Sequence, residues 1–163
     1  MRNHLMAALA TLATLALVSC GAPSTPDFVK KAASSDLYEV AAGKIASEKG
    51  QSDAVKQFGQ HMVEAHSKTT EELKDIVQAE KLDVKLPTEV NKKQEKMLKT
   101  LTEAKPEEFD KLYIEQQIKA HEKASDLFDK YAERGDNDAL KQFAANTLSA
   151  IKQHLEEVKK LKP

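Results

Sequence analysis

The sequence predicts an all-α protein, and three observations support that class. The chain of 163 residues contains no Trp and only 5 Gly, a composition that suits helices better than a sheet. Apolar residues recur at steps of three and four along several long segments. Gly50 and Gly135 interrupt these segments, and glycine is a usual residue just after a helix. The only cysteine is Cys20, so no disulfide supports the fold, which must rest on its core.

Residues 1–19 have the pattern of a secretory signal peptide. Arg2 precedes a weakly polar to apolar run from Leu5 to Val18, and small residues stand at the expected cut before Cys20. A membrane-spanning helix needs about 20 apolar residues, so this run is too short to span comfortably. We therefore expect cleavage rather than a permanent membrane helix.

The run 17–20, Leu-Val-Ser-Cys, resembles the bacterial lipobox. The resemblance implies that cleavage leaves Cys20 as the first residue and that lipid is attached to it. Gly21 follows Cys20. An Asp at that position would resemble an inner-membrane retention signal, so its absence favours the outer membrane. Residues 20–26 are then a lipidated cysteine and a short tether, and residues 27–163 are a single domain held close to the lipid surface.

The first half of that domain is expected to be a helical hairpin. One helix spans about 27–49 and ends at Gly50. The next begins after Ser52, whose side chain is a good N-cap, and spans about 53–81.

The second half repeats this layout after an irregular connection. Residues 82–87 form a break, and a shorter helix follows Thr88 and fades near Ala104. A third long helix begins at Pro106, a favoured first helical residue, and ends before the glycine at 135. The last helix spans about 138–161.

Each of the last three long helices carries one stripe at helical spacing. The stripes are Val55, Phe58, Met62, His66, Thr69, Leu73 and Ile76; Phe109, Tyr113, Gln117, His121, Ala124, Phe128 and Tyr131; and Leu140, Ala144, Thr147, Ile151, His154 and Val158. The first helix has two possible inner faces, namely Leu37, Ala41 and Ile45, or Phe28, Ala32, Glu39, Ala42 and Ala46. The sequence leaves both faces open.

An internal repeat relates the two hairpins. The run 53–59 matches the run 138–144, and Gly50 matches Gly135 at the same offset. Two helical hairpins joined by a long, partly helical crossover form the layout of ferritin-like four-helix bundles. We therefore predict that architecture.

Four motifs resemble those of a family of bacterial envelope proteins, described as ferritin-like "predicted outer membrane" proteins with a domain of unknown function. The motifs are Leu37-Tyr38-Glu39-Val40; the run from Phe58 to Lys68; Phe109 to Tyr113 with His121-Glu122; and Phe143 to Leu148 with His154-Leu155. The resemblance covers about Phe28 to Leu161 and departs from the family pattern at Ala65 and at Ser149-Ala150. The resemblance implies the fold and an envelope location. It implies no activity, because the activity of the family is largely undefined.

The charge pattern argues against nucleic-acid binding. The chain has 25 Lys and Arg against 26 Asp and Glu, and removal of residues 1–19 takes away only Arg2. The mature balance of 24 against 26 gives a net charge of −2, and the charges are interspersed along the sequence. The membrane, through Cys20, is the one partner that the sequence indicates, and no protein partner is identified.

Four residues, one from each long helix, are candidate metal ligands: Glu39, His66, His121 and His154. At a rise of ~1.5 Å per residue they lie roughly 18–26 Å from their hairpin turns, near the middle of helices about 40 Å long. Imidazole nitrogens and a carboxylate that meet in a bundle core suit a transition metal such as Zn, Cu or Fe. His61, five residues from His66, is expected to point away and to be solvated.

The alternative is that these histidines belong to the core and bond to neighbours such as Thr69, Tyr113, Gln117 or Thr147. A ferritin di-iron site is disfavoured, because its carboxylates three residues before the histidines are replaced by Val63 and Ile151. No nucleophile, phosphate loop or other catalytic constellation is present, so we do not expect an enzyme.

The sequence thus predicts a lipid-anchored bacterial envelope protein with a metal-binding or metal-buffering helical module. The alternative is a structural or interaction protein of the envelope with purely structural core histidines. A metal-dependent oxidoreductase comes third.

Overall fold

The computed structural model describes residues 21–162, which form five α-helices and contain no strand. The helices are α1 (Thr25–Lys49), α2 (Asp53–Ala79), α3 (Lys92–Glu103), α4 (Pro106–Arg134) and α5 (Asp138–Lys160). The all-α class is confirmed. None of the helices in this range is long and apolar enough to cross a membrane. The signal segment 1–19 and Cys20 lie outside the described residues, so cleavage and lipidation stay predictions.

The four long helices pack side by side. Helix α1 packs along α2, α4 packs along α5, and weaker contacts join α1 to α4 and α2 to α5. The fifth helix, α3, lies in the connection between α2 and α4 and packs on both α1 and α4. It corresponds to the short helix that the sequence places in the crossover.

The two hairpin turns lie at opposite ends of the molecule. The Asp110 carboxylate, at the start of α4, accepts hydrogen bonds from the backbone N–H groups of Gln51 and Ser52 at 2.8 and 2.9 Å. The Thr25 hydroxyl, at the start of α1, donates to Asp136 in the other turn. Neighbouring long helices are therefore antiparallel, and the connection through α3 must run the length of the molecule.

Side-chain caps account for where the helices begin. The side chains of Ser24, Ser52 and Asn137 each accept a hydrogen bond from a backbone N–H in the first turn of α1, α2 and α5. Helix α3 begins at Lys92, later than expected, because Asn91 and Gln94 form a reciprocal capping box.

Helix α2 ends earlier than the sequence indicates. It stops at Ala79, and Lys81 takes a left-handed conformation with φ of 50°. The Leu82 N–H donates to the Val77 carbonyl at 3.0 Å, which closes the last turn without a glycine.

The core consists of two apolar clusters separated by a polar layer. The Phe28 cluster comprises Phe28, Val29, Ala32, Ala33, Leu73, Val77, Ala124, Phe128, Tyr131, Leu140, Phe143, Ala144 and Ile151. The Phe58 cluster comprises Tyr38, Ala42, Ala46, Val55, Phe58, Met62, Leu101, Phe109, Tyr113, Ile114 and Val158. The polar layer lies between the two clusters. It consists of Asp36, Glu39, His66, Gln117, His121 and His154.

The inner face of α1 is the one that includes Glu39. Phe28, Ala32, Ala42 and Ala46 on this face are fully buried. The competing face of Leu37, Ala41 and Ile45 is only partly buried.

Helices α1 and α2 cross in close contact at a pair of glycines. A Cβ added at Gly43 would lie 2.6 Å from the carbonyl oxygen of Gly59, and one added at Gly59 would lie 2.8 Å from the carbonyl oxygen of Gly43. Both distances are too short for a real methyl group. The absence of a side chain is therefore required at this crossing.

Candidate metal centre

Three histidines from three helices meet in the polar layer. His66 lies on α2, His121 on α4 and His154 on α5, and all three are buried. Their ring centroids are 5.6 to 5.8 Å apart. One nitrogen of each ring lies within 4.8 Å of the corresponding nitrogen of the other two. The apolar stripes predicted from helical spacing do bring these three residues together.

Two of the rings are oriented by hydrogen bonds. His66 Nδ1 donates to the Asp36 carboxylate at 2.8 Å, and His121 Nδ1 donates to the Gln117 backbone carbonyl at 3.0 Å. These bonds place the proton on Nδ1 and leave the Nε2 lone pair free. Metal-binding histidines are held in the same manner, with the second ring nitrogen donating to a carboxylate or carbonyl.

The free nitrogens have no hydrogen-bond partner among the described residues. They are His66 Nε2, His121 Nε2 and His154 Nδ1, and each is buried. A buried polar atom without a partner costs free energy, about 1–3 kcal/mol in mutational data. The packing of the described residues thus leaves one nitrogen of each of the three rings without a partner.

The site holds at least two of its imidazoles in the neutral, metal-binding form. Burial lowers the pKa of His154 to about 3, and the neighbouring His66 and His121 contribute to that shift. Burial also lowers the pKa of His121, although the charge of Glu39 opposes it.

The pKa of His66 moves in the other direction. Burial alone would lower it, but the hydrogen bond to Asp36 and the charges of Glu39 and Asp36 raise it above 6.5. Burial raises the pKa of Asp36 as well. His66 is thus the histidine of the three at which a proton competes most with a metal.

Glu39 occupies the same layer but a different position from that predicted. It is 1 % exposed, and its Oε2 has no hydrogen-bond partner in the described part of the chain. It is not among the residues whose ligand atoms lie within 4.8 Å of one another. Burial raises the pKa of Tyr113, and the charge of Glu39 adds to that shift and also raises the pKa values of His66 and His121 against the effect of their burial.

His61 is solvated, as expected, but it also contacts the site. Its side chain is 50 % exposed, with Nδ1 at 3.6 Å from a Glu157 carboxylate oxygen. Its ring centroid lies 5.0 Å from that of His154. His61 therefore lies between the surface and the three buried histidines.

The core partners proposed from the sequence are mostly wrong. The Thr69 hydroxyl donates to its own helix at the Ala65 carbonyl, and the Tyr113 hydroxyl has no partner among the described residues. Gln117 contributes its backbone carbonyl, while both polar atoms of its side-chain amide lack partners.

Asp36 is the functional residue that the sequence interpretation missed. It is 3 % exposed and is the direct partner of His66. It stands three residues before Glu39, a spacing that places both carboxylates on one helix face. That spacing was a detectable signal for a second buried acid.

The geometry is close to that of a metal centre but wider. Three nitrogens bound to Zn²⁺ at about 2.0–2.1 Å in tetrahedral geometry lie about 3.3 Å from one another. The rings would have to approach by up to about 1.5 Å relative to the 4.8 Å limit.

These observations define an all-helical protein with a buried cluster of three histidines in its core. Comparison with known protein families adds a family assignment to this description. The chain belongs to the family described as a domain of unknown function (DUF4142), whose model matches residues 10–161. Comparison with curated proteins and with solved structures gives no significant match.

Proposed function

We propose that this protein is a metal-binding module in which His66, His121 and His154 hold one divalent transition metal. The observation that carries the proposal is that three buried imidazoles meet with ligand atoms within 4.8 Å of one another, and that each ring has a buried nitrogen with no hydrogen-bond partner in the described chain. The Asp36 carboxylate and the Gln117 carbonyl support it, because they fix the tautomers that coordination requires.

The donor set favours a metal that accepts imidazole. Zn, Cu, Fe and Ni all do, whereas Mg and Ca prefer oxygen. Three nitrogens leave a fourth position, and Glu39 is a candidate for it after rearrangement, because its buried Oε2 has no hydrogen-bond partner among the described residues. We propose buffering or storage of the metal rather than catalysis, with a metal-dependent oxidoreductase as the class to consider if a redox change accompanies binding.

The carboxylate pattern does not fit a di-iron site. Val63 is partly buried, and Ile151 packs in the Phe28 cluster at the second position where a carboxylate would be needed. We therefore propose that the four long helices form a ferritin-like bundle without ferritin chemistry. The antiparallel packing and the long crossover through α3 support this interpretation.

The N-terminal pattern supports a location. We propose that the chain is a lipoprotein of the bacterial envelope, anchored through Cys20 in the outer membrane and facing the periplasm. The supporting observations are the apolar run that ends at Val18 and the residues Leu-Val-Ser-Cys at 17–20.

Calorimetric titration of the tag-free protein with Zn²⁺ and with Cu²⁺ tests the metal site, together with elemental analysis of the protein as purified. His66→Ala, His121→Ala and His154→Ala should each weaken binding by at least about 100-fold, because three ligands act together. His61→Ala is the matched control and should change the affinity by less than about tenfold, since its nitrogens lie outside the cluster. Circular dichroism establishes that each variant is folded.

Asp36→Asn separates positioning from packing. It keeps the shape of the side chain but removes the charge that orients His66, so the affinity should fall by roughly 10- to 100-fold with unchanged helicity. If the protein binds neither metal more tightly than the triple-alanine variant does, the three histidines are structural and the proposal is wrong.

A further inference from the structure

A groove between α1, α3 and α4 collects lysines that are dispersed in the sequence. It has a volume of about 540 Å³ and is lined by Lys31, Lys93, Lys119, Lys123 and Lys130. Asp126 is the acidic residue in its lining, and its carboxylate accepts from Lys130 at 2.7 Å. The other four lysines have no acidic group within 4.0 Å in residues 21–162.

The lysines are close enough to repel one another. Lys93 lies beside Lys123 and lowers the pKa of the Lys123 ammonium group, and Lys119 adds to the effect. All three are on the surface, where water screens them. Such a concentration of like charge is unfavourable unless an anion compensates it.

The floor of the groove is apolar. Met97, Ala120, Ala124 and Leu127 lie between the lysines, on α3 and α4. Side chains of this kind, below a rim of long cationic stems, suit a surface that has both anionic groups and an apolar interior.

The chain also enters the fold at this groove. Gly21 and Pro23, which precede α1, line it together with the lysines. Twenty residues precede Gly21, including the apolar run from Leu5 to Val18. This placement rests on the attachment proposed above, in which an anchor at Cys20 would hold this face next to the membrane.

We propose that the lysine groove is a docking face for an anionic membrane surface, with its ammonium groups on lipid phosphates. The charge of the groove and the point where the chain enters both select this occupant. The inference is independent of the metal centre, because none of the three histidines lines the groove. It fixes the orientation of the helices on the membrane, with α3 and α4 toward the lipid and α2 and α5 away from it.

Amine labelling of the full chain on vesicles tests the proposal. Vesicles of phosphatidylcholine alone are compared with vesicles that also contain phosphatidylglycerol, and modification is measured at each lysine by mass spectrometry. On the anionic vesicles Lys93, Lys119 and Lys123 should be protected several-fold, whereas Lys74 on α2 should not. Equal labelling of these lysines on both kinds of vesicle would overturn the proposal, however the chain is attached.

Two charge-matched variants test the energetics. One carries Lys→Gln changes at the four groove lysines without an acidic partner, and the control carries Lys→Gln changes at Lys68, Lys74, Lys141 and Lys152. Each nearby lysine contributes about 1 kcal/mol of attraction to an anionic surface, so the groove variant, which lacks four of them, should lose on the order of 1,000-fold in charge-dependent partitioning.

The control variant should lose much less, and high salt should abolish the difference between the two. Equal losses in both variants would mean that net charge alone is responsible, which contradicts a specific face. Tighter binding of the groove to an oligonucleotide than to the vesicles would also overturn the proposal. Circular dichroism of both variants checks that they are folded.

Discussion

Gly59→Ala tests the close crossing of α1 and α2. The added methyl group would lie 2.8 Å from the Gly43 carbonyl oxygen, 2.9 Å from the Ala46 Cβ and 3.0 Å from the Ser47 nitrogen. Ordinary contacts between carbon atoms are about 3.5–4.0 Å, and none of these three atoms can move away by a change of rotamer. The two helices must therefore separate by roughly half an ångström or more at this point.

The expected magnitude is a balance of two effects. Overpacking of a well-packed contact costs about 1–3 kcal/mol. Replacing glycine with alanine inside a helix gains about 1 kcal/mol from helix propensity. The net loss in the free energy of unfolding should be about 0–2 kcal/mol, which lowers the melting temperature by up to about 8 °C for a domain of this size.

Thermal unfolding followed by far-ultraviolet circular dichroism measures the effect. Gln57 is an exposed position on α2. The difference between Gln57→Ala and Gln57→Gly therefore gives the propensity gain on the same helix. If Gly59→Ala instead stabilises the protein by that difference, the two backbones do not approach as closely as described and the reasoning is refuted.

Three further predictions concern the core, the pH dependence and the N-terminus. Phe58→Ala and Phe143→Ala should each lower the free energy of unfolding by about 3–5 kcal/mol in denaturant titrations, because both side chains are buried in the apolar clusters. A neutral effect would show that the helix face is misassigned. Burial lowers the pKa of His154 to about 3. Below pH 6.5 the unfolded chain therefore binds a proton at this histidine that the folded protein excludes. The free energy of unfolding should fall as the pH decreases, by up to about 1.4 kcal/mol per pH unit. His154→Leu should flatten that slope in urea unfolding measured between pH 6.5 and 4, and an unchanged slope would contradict the shift. Cys20→Ser should leave an unprocessed or mislocalised precursor in cell fractionation, whereas normal maturation and membrane attachment would rule out lipidation.

The helices were largely predictable because their boundaries depend on local signals. Pro106 begins α4, as expected from its fixed φ, and Gly50 follows α1, although with a φ of −52° rather than the left-handed conformation for which glycine is favoured there. The start of α3 was placed too early because Thr88 and Asn91 are both good caps, and only the reciprocal bonds with Gln94 distinguish them. The two reciprocal hydrogen bonds of the capping box depend on the side-chain rotamers of Asn91 and Gln94, which composition alone does not determine.

The candidate site was predictable in part for the same reason. Helical spacing placed His66, His121 and His154 on inner faces, and the distances to the hairpin turns placed them at similar heights. The role of Asp36 was missed because α1 has small residues on more than one face, so its inner side was ambiguous. The lysine groove was also missed, since charges that are interspersed in the sequence converge only when three helices pack.

The polar layer between the Phe28 and Phe58 clusters has a consequence for the alignment of the helices. If one long helix slid by a turn, about 5.4 Å, it would move a carboxylate or an imidazole against apolar side chains. The group left without its partner would cost about 1–3 kcal/mol, and more if it were charged. Apolar layers alone would leave no polar group without a partner after such a slip. The Asp36–His66 bond thus selects one axial register of α1 against α2, as a buried asparagine does in a coiled coil.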